Sequence, residues 1–191
     1  VWQDRTSHDR LAAQVENGRA VRWSFDMLSP FMVFDRVPMH RSGRWIIPVS
    51  YVALPVLALT LLSWPIGWWS RRRYRVPLAL DGARLRVFRW TRIAAGLVLA
   101  ALATWGLVVT RLFGDLDNAT SRTDGLLRFA QWFGLAAFVA GVLVGAWNVI
   151  HAFRERRGWP SRIWSLLLLL SFIFVLYVAG TFHLIGMSVK Y

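Results

Sequence analysis

Residues 163–187 read IWSLLLLLSFIFVLYVAGTFHLIGM and contain no Asp, Glu, Lys or Arg. A helix needs about 20 apolar residues to cross roughly 30 Å of hydrocarbon, so such a block is typical of a transmembrane helix. Three more apolar blocks occur, and together they predict spans at about residues 45–69, 93–109, 126–152 and 163–187. The sequence therefore predicts an all-α integral membrane protein built on a four-helix transmembrane bundle.

The composition agrees with a lipid environment. Of the 191 residues, 56% are apolar and only 17% are charged, whereas soluble domains average about 25% charged residues. There is no Cys, which excludes disulfides and thiol-ligated metal. The net charge of +13 comes mainly from arginines between the apolar blocks, where membrane topology requires them. We therefore predict that the chain binds the lipid bilayer and not nucleic acid.

Residues 1–44 are predicted to form a short β-hairpin and linker segment outside the membrane, and residues 45–191 the transmembrane domain. Asn17 and Gly18 separate two runs of mixed alternation in LAAQVENGRAVRWSFD, residues 11–26. Both residues tolerate positive φ, so the pair predicts a type I′ hairpin turn. We expect Val15, Val21, Trp23 and Phe25 to form the apolar side. Because a lone hairpin is marginal in water, we expect this one to complete the sheet of an upstream domain.

The arginines in the short loops predict the orientation in the membrane. The loop between the first and second predicted spans and the loop between the third and fourth together hold twelve arginines. The loop between the second and third spans and the C-terminal tail together hold four basic residues. We expect the arginine-rich loops to face the cytoplasm and the N-terminal segment and C-terminus to face outward. Anionic lipid headgroups are a second interpretation of these arginines. The lipid-facing candidates are Arg71, Arg72, Arg73, Arg75, Arg154, Arg156 and Arg157.

No catalytic, cofactor-binding or metal-ligating set is predicted. The chain has no GxSxG, SxxK, Walker or HExxH motif. His151 and His183 are expected at opposite ends of the bundle, too far apart to share a metal. In the third span, Asn148 and Gln131 are the main strongly polar residues, and either could form hydrogen bonds between helices. Gly141 and Gly145 are spaced for close helix packing inside the bundle.

One family resembles this chain over much of its length. The run VWQDRTSHDRLAAQVENGRAVRWSFD at residues 1–26, then SPFMVFDRVP at 29–38 and a span ending in RRRYRVPLAL at 71–80, resembles the C-terminal region of bacterial serine hydrolases of the β-lactamase and penicillin-binding-protein-like family. In one subgroup of that family, a periplasmic hydrolase domain is followed by a short β segment and several transmembrane helices.

The resemblance carries no catalytic residue into this chain. Ser188 and Lys190 are too close for the family's SxxK motif, and the run from His40 to Gly43 is one residue too long for its HxG motif. It implies that a serine hydrolase domain lies upstream in the same polypeptide. These residues would then hold that domain at the outer face of the bacterial inner membrane.

The predicted function is thus a non-catalytic membrane anchor for an exported serine hydrolase. The alternative is a stand-alone small membrane protein that acts as a partner-binding or scaffold subunit. A transporter subunit is a third interpretation, and it would require a polar cavity at mid-membrane, which the predicted spans do not offer.

Overall fold

A computed structural model describes residues 1–3, 10–26, 28, 32–75, 80, 82–114 and 121–185. The chain divides into two compact units, Val1–Trp45 and Ile46–Tyr191. The strands are β1 (Trp2–Gln3), β2 (Arg10–Glu16), β3 (Arg19–Phe25) and β4 (Phe34–Asp35). The helices are α1 (Gly43–Tyr74), α2 (Gly82–Gly114), α3 (Ser121–Arg154) and α4 (Trp159–Thr181).

Within the described residues, four helices are long and apolar enough to cross a membrane. In the most apolar stretch of each helix, only 22% to 33% of the residues are buried inside the protein. Many of the remaining apolar side chains are exposed, among them Tyr51, 76% exposed, and Trp69, 62% exposed. Outward-facing apolar surface on every helix is what a lipid solvent requires. The chain is a multi-pass membrane protein, and the predicted fold class is confirmed.

The interior of the bundle combines small side chains with a few large ones, of which Phe138 and Phe172 are the largest that are fully buried. Alanines at the helix interfaces let the helix backbones approach closely. The core residues are Val56, Leu57, Ala94, Ala95, Val98, Ala101, Ala137, Phe138, Leu168, Phe172, Val175 and Ala179. All four helices contribute to this one cluster.

Gly141 and Gly145 of α3 leave the space that the aromatic ring of Phe172 on α4 occupies. A Cβ atom on Gly141 would lie 2.8 Å from Cδ1 of Phe172, and one on Gly145 would lie 2.9 Å from Cδ2. Real Cβ atoms do not approach other atoms so closely, so both positions need glycine. The predicted role of this pair in packing within the bundle is confirmed.

The helices extend beyond most of the predicted spans, but α4 is shorter than predicted. It ends at Thr181 rather than near residue 187, and residues 186 and 187 lie outside the described part of the chain. His183 has φ of +56°, its amide donates to Gly180, and the amide of Leu184 donates to Ala179. These two bonds are those of a Schellman motif, which closes a helix end. The apolar residues after Thr181 fold back against the core, so their hydropathy does not mean continued helix.

The predicted hairpin at Asn17 and Gly18 is confirmed. Strands β2 and β3 pair antiparallel around this turn, and φ is +51° at Asn17 and +75° at Gly18. Positive φ at both central residues is the signature of the type I′ turn. The register shifts between Gln14 and Val15, so that Val21 has no opposite residue.

In the described part of the chain, the sheet contains four strands in the order β1-β2-β3-β4, so the hairpin is flanked on both sides by two-residue strands. The apolar side chains of Trp23, Phe25 and Phe34 lie on one face, where the rings of Phe25 and Phe34 meet edge to face at 5.9 Å. Arg22 and Asp35 pair on the other face, with Nε 2.7 Å from Oδ1. Among residues 10–26, 28 and 32–45 of this unit, none is buried.

Candidate functional site: a polar cavity at one end of the bundle

A cavity of about 540 Å³ lies at the end of the bundle where α1 ends, α2 begins and α3 turns into α4. Residues from all four helices line it, together with Leu80. Most of the lining side chains are polar or charged, which is unusual inside an apolar bundle. They are Thr60, Ser63, Arg84, Thr91, Arg92, Asn148, Glu155, Arg157, Ser161 and Ser165, with Phe88, Trp164 and Leu168 as apolar neighbours.

The turn between α3 and α4 positions two of the charged groups. The amide of Arg156 donates to Phe153 and the amide of Arg157 to Ala152, which is again the Schellman pattern. Arg156 occupies the left-handed position with φ of +48°. This reversal places Glu155 and Arg157 beside the cavity rather than along the continuing axis of α3.

Glu155 is the acidic group of the site and binds two arginines. Nε of Arg84 lies 3.1 Å from its Oε2, and Nη2 of Arg157 lies 3.0 Å from the same oxygen. His151, one turn earlier on α3, places Nδ1 3.6 Å from Oε1. Partial burial raises the pKa of Glu155, but the hydrogen bonds from Arg157 and Arg84 outweigh it, so the pKa lies below its ordinary value.

Arg92 has no acidic partner among the described residues. Its Nη1 donates to the carbonyl of Phe88 at 3.0 Å, and its guanidinium carbon lies 3.4 Å from the centroid of the Phe88 ring. Its Nε is buried and has no hydrogen-bond acceptor in the described part of the chain. A buried donor without a partner costs roughly 1–3 kcal/mol, and more on a charged group.

Hydrogen bonds between helices form the inner wall of the cavity. The indole Nε1 of Trp164 donates to Oγ1 of Thr60 at 3.1 Å and joins α4 to α1. Nδ2 of the buried Asn148 donates to Oγ of Ser165 at 3.2 Å and joins α3 to α4. This second bond confirms the predicted role of Asn148 between helices.

The hydroxyl groups of the wall are held by their own helices. Thr60, Thr91 and Ser165 each donate to the carbonyl four residues earlier, at 2.7 to 2.8 Å. Such bonds satisfy the hydroxyl proton and fix the side chain, because the helix carbonyl is always within reach. The wall is therefore a preorganised polar surface.

Most of the predicted lipid-facing arginines lie on the protein surface. Arg71, Arg72 and Arg73 belong to the last turn of α1, and Arg75 follows it with φ of +52°. The guanidinium of Arg72 stacks on Trp68 at 5.3 Å from the ring centroid. Their lipid-binding role stays a prediction.

The second predicted cluster divides between surface and cavity. Arg154 and Arg156 are exposed, whereas Arg157 is half-buried, is bound to Glu155 and lines the cavity. Arg84 and Arg92, which the sequence indicated only as topology determinants, also line the cavity. The sequence signal that distinguishes this arginine-rich end is Glu155, the single acidic residue after Asp124.

The described residues contain no group of three or more His, Asp or Glu that could hold a metal ion. Ser188 and Lys190 lie outside the described residues. His40 is exposed in a 3₁₀ turn, Met39–Arg41, just before α1. The chemistry that the cavity offers is recognition by positive charge and hydrogen bonds.

Comparisons with protein-family models, with curated proteins and with solved structures find no significant match to this chain.

Proposed function

We propose that this chain is the non-catalytic membrane-anchoring region of an exported serine hydrolase of the β-lactamase and penicillin-binding-protein-like type. The hydrolase domain would lie N-terminal to it in the same polypeptide. The observation that carries this proposal is the uncovered apolar face of the small sheet, joined to the first transmembrane helix by a short connection.

The face formed by Trp23, Phe25 and Phe34 needs a cover. Phe25 is 40% exposed and Phe34 is 39% exposed, although their rings pack on each other. Both outer strands are only two residues long, so the sheet is little more than the β2–β3 hairpin, and a lone hairpin is marginal in water. A neighbouring domain packed on this face would supply the missing core. By the resemblance given above, that domain would be a serine hydrolase domain.

The connection between sheet and membrane is short. Strand β4 ends at Asp35 and α1 begins at Gly43. The seven residues between them reach at most about 25 Å when fully extended. A domain attached to the sheet would therefore work close to the membrane surface, where it meets large or immobile substrates such as the cell wall.

The arginine-rich ends of the helices support a bacterial inner membrane location with one orientation. Arg71, Arg72 and Arg73 lie at the end of α1, at the end of the bundle that contains the cavity. Arg154 is the last residue of α3 at the same end, and Arg156 follows it in the turn to α4. In this proposal that end faces the cytoplasm, because positive residues are retained there. The N-terminal sheet and the C-terminus then lie outside.

The test uses an antibody against residues 10–26 and membranes of the source bacterium. The membranes are treated with a fluorescent β-lactam and, in parallel, with a fluorescent fluorophosphonate, and the antigen is then precipitated. We expect a labelled polypeptide larger than the 21.9 kDa of this chain. Excess unlabelled compound serves as the control and should remove the signal.

Two results would contradict the proposal in different ways. A precipitated band at about 21.9 kDa without label would favour the stand-alone membrane protein. A larger but unlabelled band would contradict an attached serine hydrolase but would agree with a membrane anchor for a domain of another kind. In the full-length protein, Phe25→Ser should speed proteolysis between the attached domain and α1, whereas Ser24→Ala on the opposite face should not.

A further inference from the structure

We propose that the polar cavity binds a phosphate-bearing anion, supplied by the headgroup of an anionic phospholipid or by free phosphate. This site is separate from the proposed anchoring role. The proposal rests on the charge of the cavity, on the unpartnered nitrogen of Arg92, on the size of the space and on its level in the helices.

The charge of the cavity is positive. Three guanidinium groups line it, those of Arg84, Arg92 and Arg157, against the single carboxylate of Glu155. That carboxylate is shared between Arg84 and Arg157. The described residues leave a net charge of two positive units, and a phosphate group of one or two negative charges would balance it.

Of the three guanidinium groups that line the cavity, Arg92 is the one without a carboxylate partner among the described residues. Its Nε is buried without an acceptor among the described residues, while Nη1 is held by the carbonyl of Phe88. The stacking on the Phe88 ring fixes the plane of the guanidinium. A guanidinium presents its donors as a planar fork that matches two phosphate oxygens, so a fixed and partly unused fork is suited to phosphate.

The cavity has room for a headgroup. Its volume of about 540 Å³ lies within the roughly 300–1,000 Å³ typical of small-molecule sites. Thr91, Asn148 and Ser161 provide further polar contacts on its wall. These uncharged groups can bind the ester oxygens or hydroxyls of a headgroup beyond the phosphate.

The level of the cavity in the helix matches that of phospholipid headgroups. Arg92 lies ten residues after the start of α2, about 15 Å along its axis, and the uncharged stretch begins at the next residue. The 33 residues of α2 span about 50 Å, which exceeds the roughly 30 Å of hydrocarbon. Arg92 therefore stands at the boundary between the polar and apolar parts of the helix, where lipid phosphates lie.

The test is a calorimetric titration of the whole chain, purified in a neutral detergent, with three compounds. They are dihexanoyl phosphatidylglycerol, sodium phosphate and dihexanoylglycerol, which has the same acyl chains without phosphate. We expect saturable binding of phosphatidylglycerol or phosphate with one site per chain, and none of dihexanoylglycerol. Saturation by the lipid alone identifies a headgroup site, whereas phosphate that binds and displaces the lipid identifies a soluble anion as sufficient.

Two matched arginine variants separate this site from general surface charge. Arg92→Gln should weaken binding about 10-fold or more, because a charge-assisted hydrogen bond is lost. Arg89→Gln removes an exposed arginine one turn away, outside the cavity, and should weaken it less than about 5-fold. Ser161→Phe fills the cavity without changing a charge and should abolish binding even if Arg92→Gln fails to fold.

Three outcomes would overturn the proposal. The first is no saturable binding of either phosphate compound to the unmodified chain. The second is equal loss of affinity in Arg92→Gln and Arg89→Gln. The third is binding of dihexanoylglycerol as tight as that of the phosphate compounds, which would indicate an apolar site.

Discussion

Phe172 on α4 fills the space beside Gly141 on α3 so completely that a Cβ atom at Gly141 would lie 2.8 Å from the ring. Gly145 lies against the other edge of the same ring. The contact joins two helices whose outer faces are apolar and lipid-exposed, so packing of this kind and not apolar burial alone determines which faces meet.

Gly141→Ala should lower the free energy of unfolding by about 1–3 kcal/mol, because the added methyl group would clash with the ring of Phe172. The matched control is Gly106→Ala on α2, where a Cβ atom meets nothing within 4 Å. That variant should be neutral or gain up to about 1 kcal/mol, since alanine is the better helix former. Reversible unfolding in mixed micelles measures both, and equal effects would contradict the close contact.

The hydrogen bond between Asn148 and Ser165 should show as coupling between two substitutions. In a double-mutant cycle with Asn148→Ala and Ser165→Ala, we expect a coupling energy of about 0.6–2 kcal/mol, the range of hydrogen bonds between membrane helices. The measurement is the unfolding free energy of the four proteins. Additive losses would show that the bond contributes nothing to the bundle.

The pair between Arg22 and Asp35 makes the small sheet sensitive to acid. The hydrogen bond from Arg22 holds the pKa of Asp35 below its ordinary value of 3.8. A carboxyl with a lowered pKa stabilises the fold above its ordinary pKa and loses that effect as the pH falls through the folded value. Titration of the Asp35 carboxyl carbon by NMR should show the low value, and Arg22→Gln should raise it, whereas Arg19→Gln should not.

Glu155→Gln should lower the midpoint of thermal unfolding at neutral pH. The substitution removes the charge that binds Arg84 and Arg157 at the α3–α4 turn. Because the pKa of Glu155 lies below 4.5, the difference from the unmodified protein should be complete above that pH. It should vanish as the pH falls through the lowered pKa, where the carboxyl becomes neutral. A difference that does not change with pH would contradict an ionised partner.

The orientation can be tested with single cysteines, since the chain has none of its own. Arg73→Cys and Arg156→Cys lie on exposed positions at the arginine-rich end, and Gln14→Cys lies on the exposed sheet. In intact spheroplasts, a membrane-impermeant maleimide should label only the cysteine at position 14. After lysis it should label all three, and the reverse pattern would invert the proposed topology.

The sequence by itself determined the features that depend on neighbouring residues. Each span follows from a run of apolar residues as long as the bilayer is thick, and the hairpin follows from two adjacent residues that tolerate positive φ. The packing role of Gly141 and Gly145 could also be predicted from the sequence, because small residues at this spacing lie on one helix face.

Only the tertiary structure decided which polar groups meet. Arg84 and Arg92 lie on α2, whereas Asn148 lies on α3 and Arg157 in the turn after it. Each has an ordinary explanation alone, as a topology determinant or a bond between helices. Their convergence on one cavity depends on how the helices pack and on the reversal at Arg156, which turns Arg157 inward. The end of α4 at Thr181 could not be predicted from the sequence either, because an apolar tail that folds back on the core has the same hydropathy as one that continues the helix.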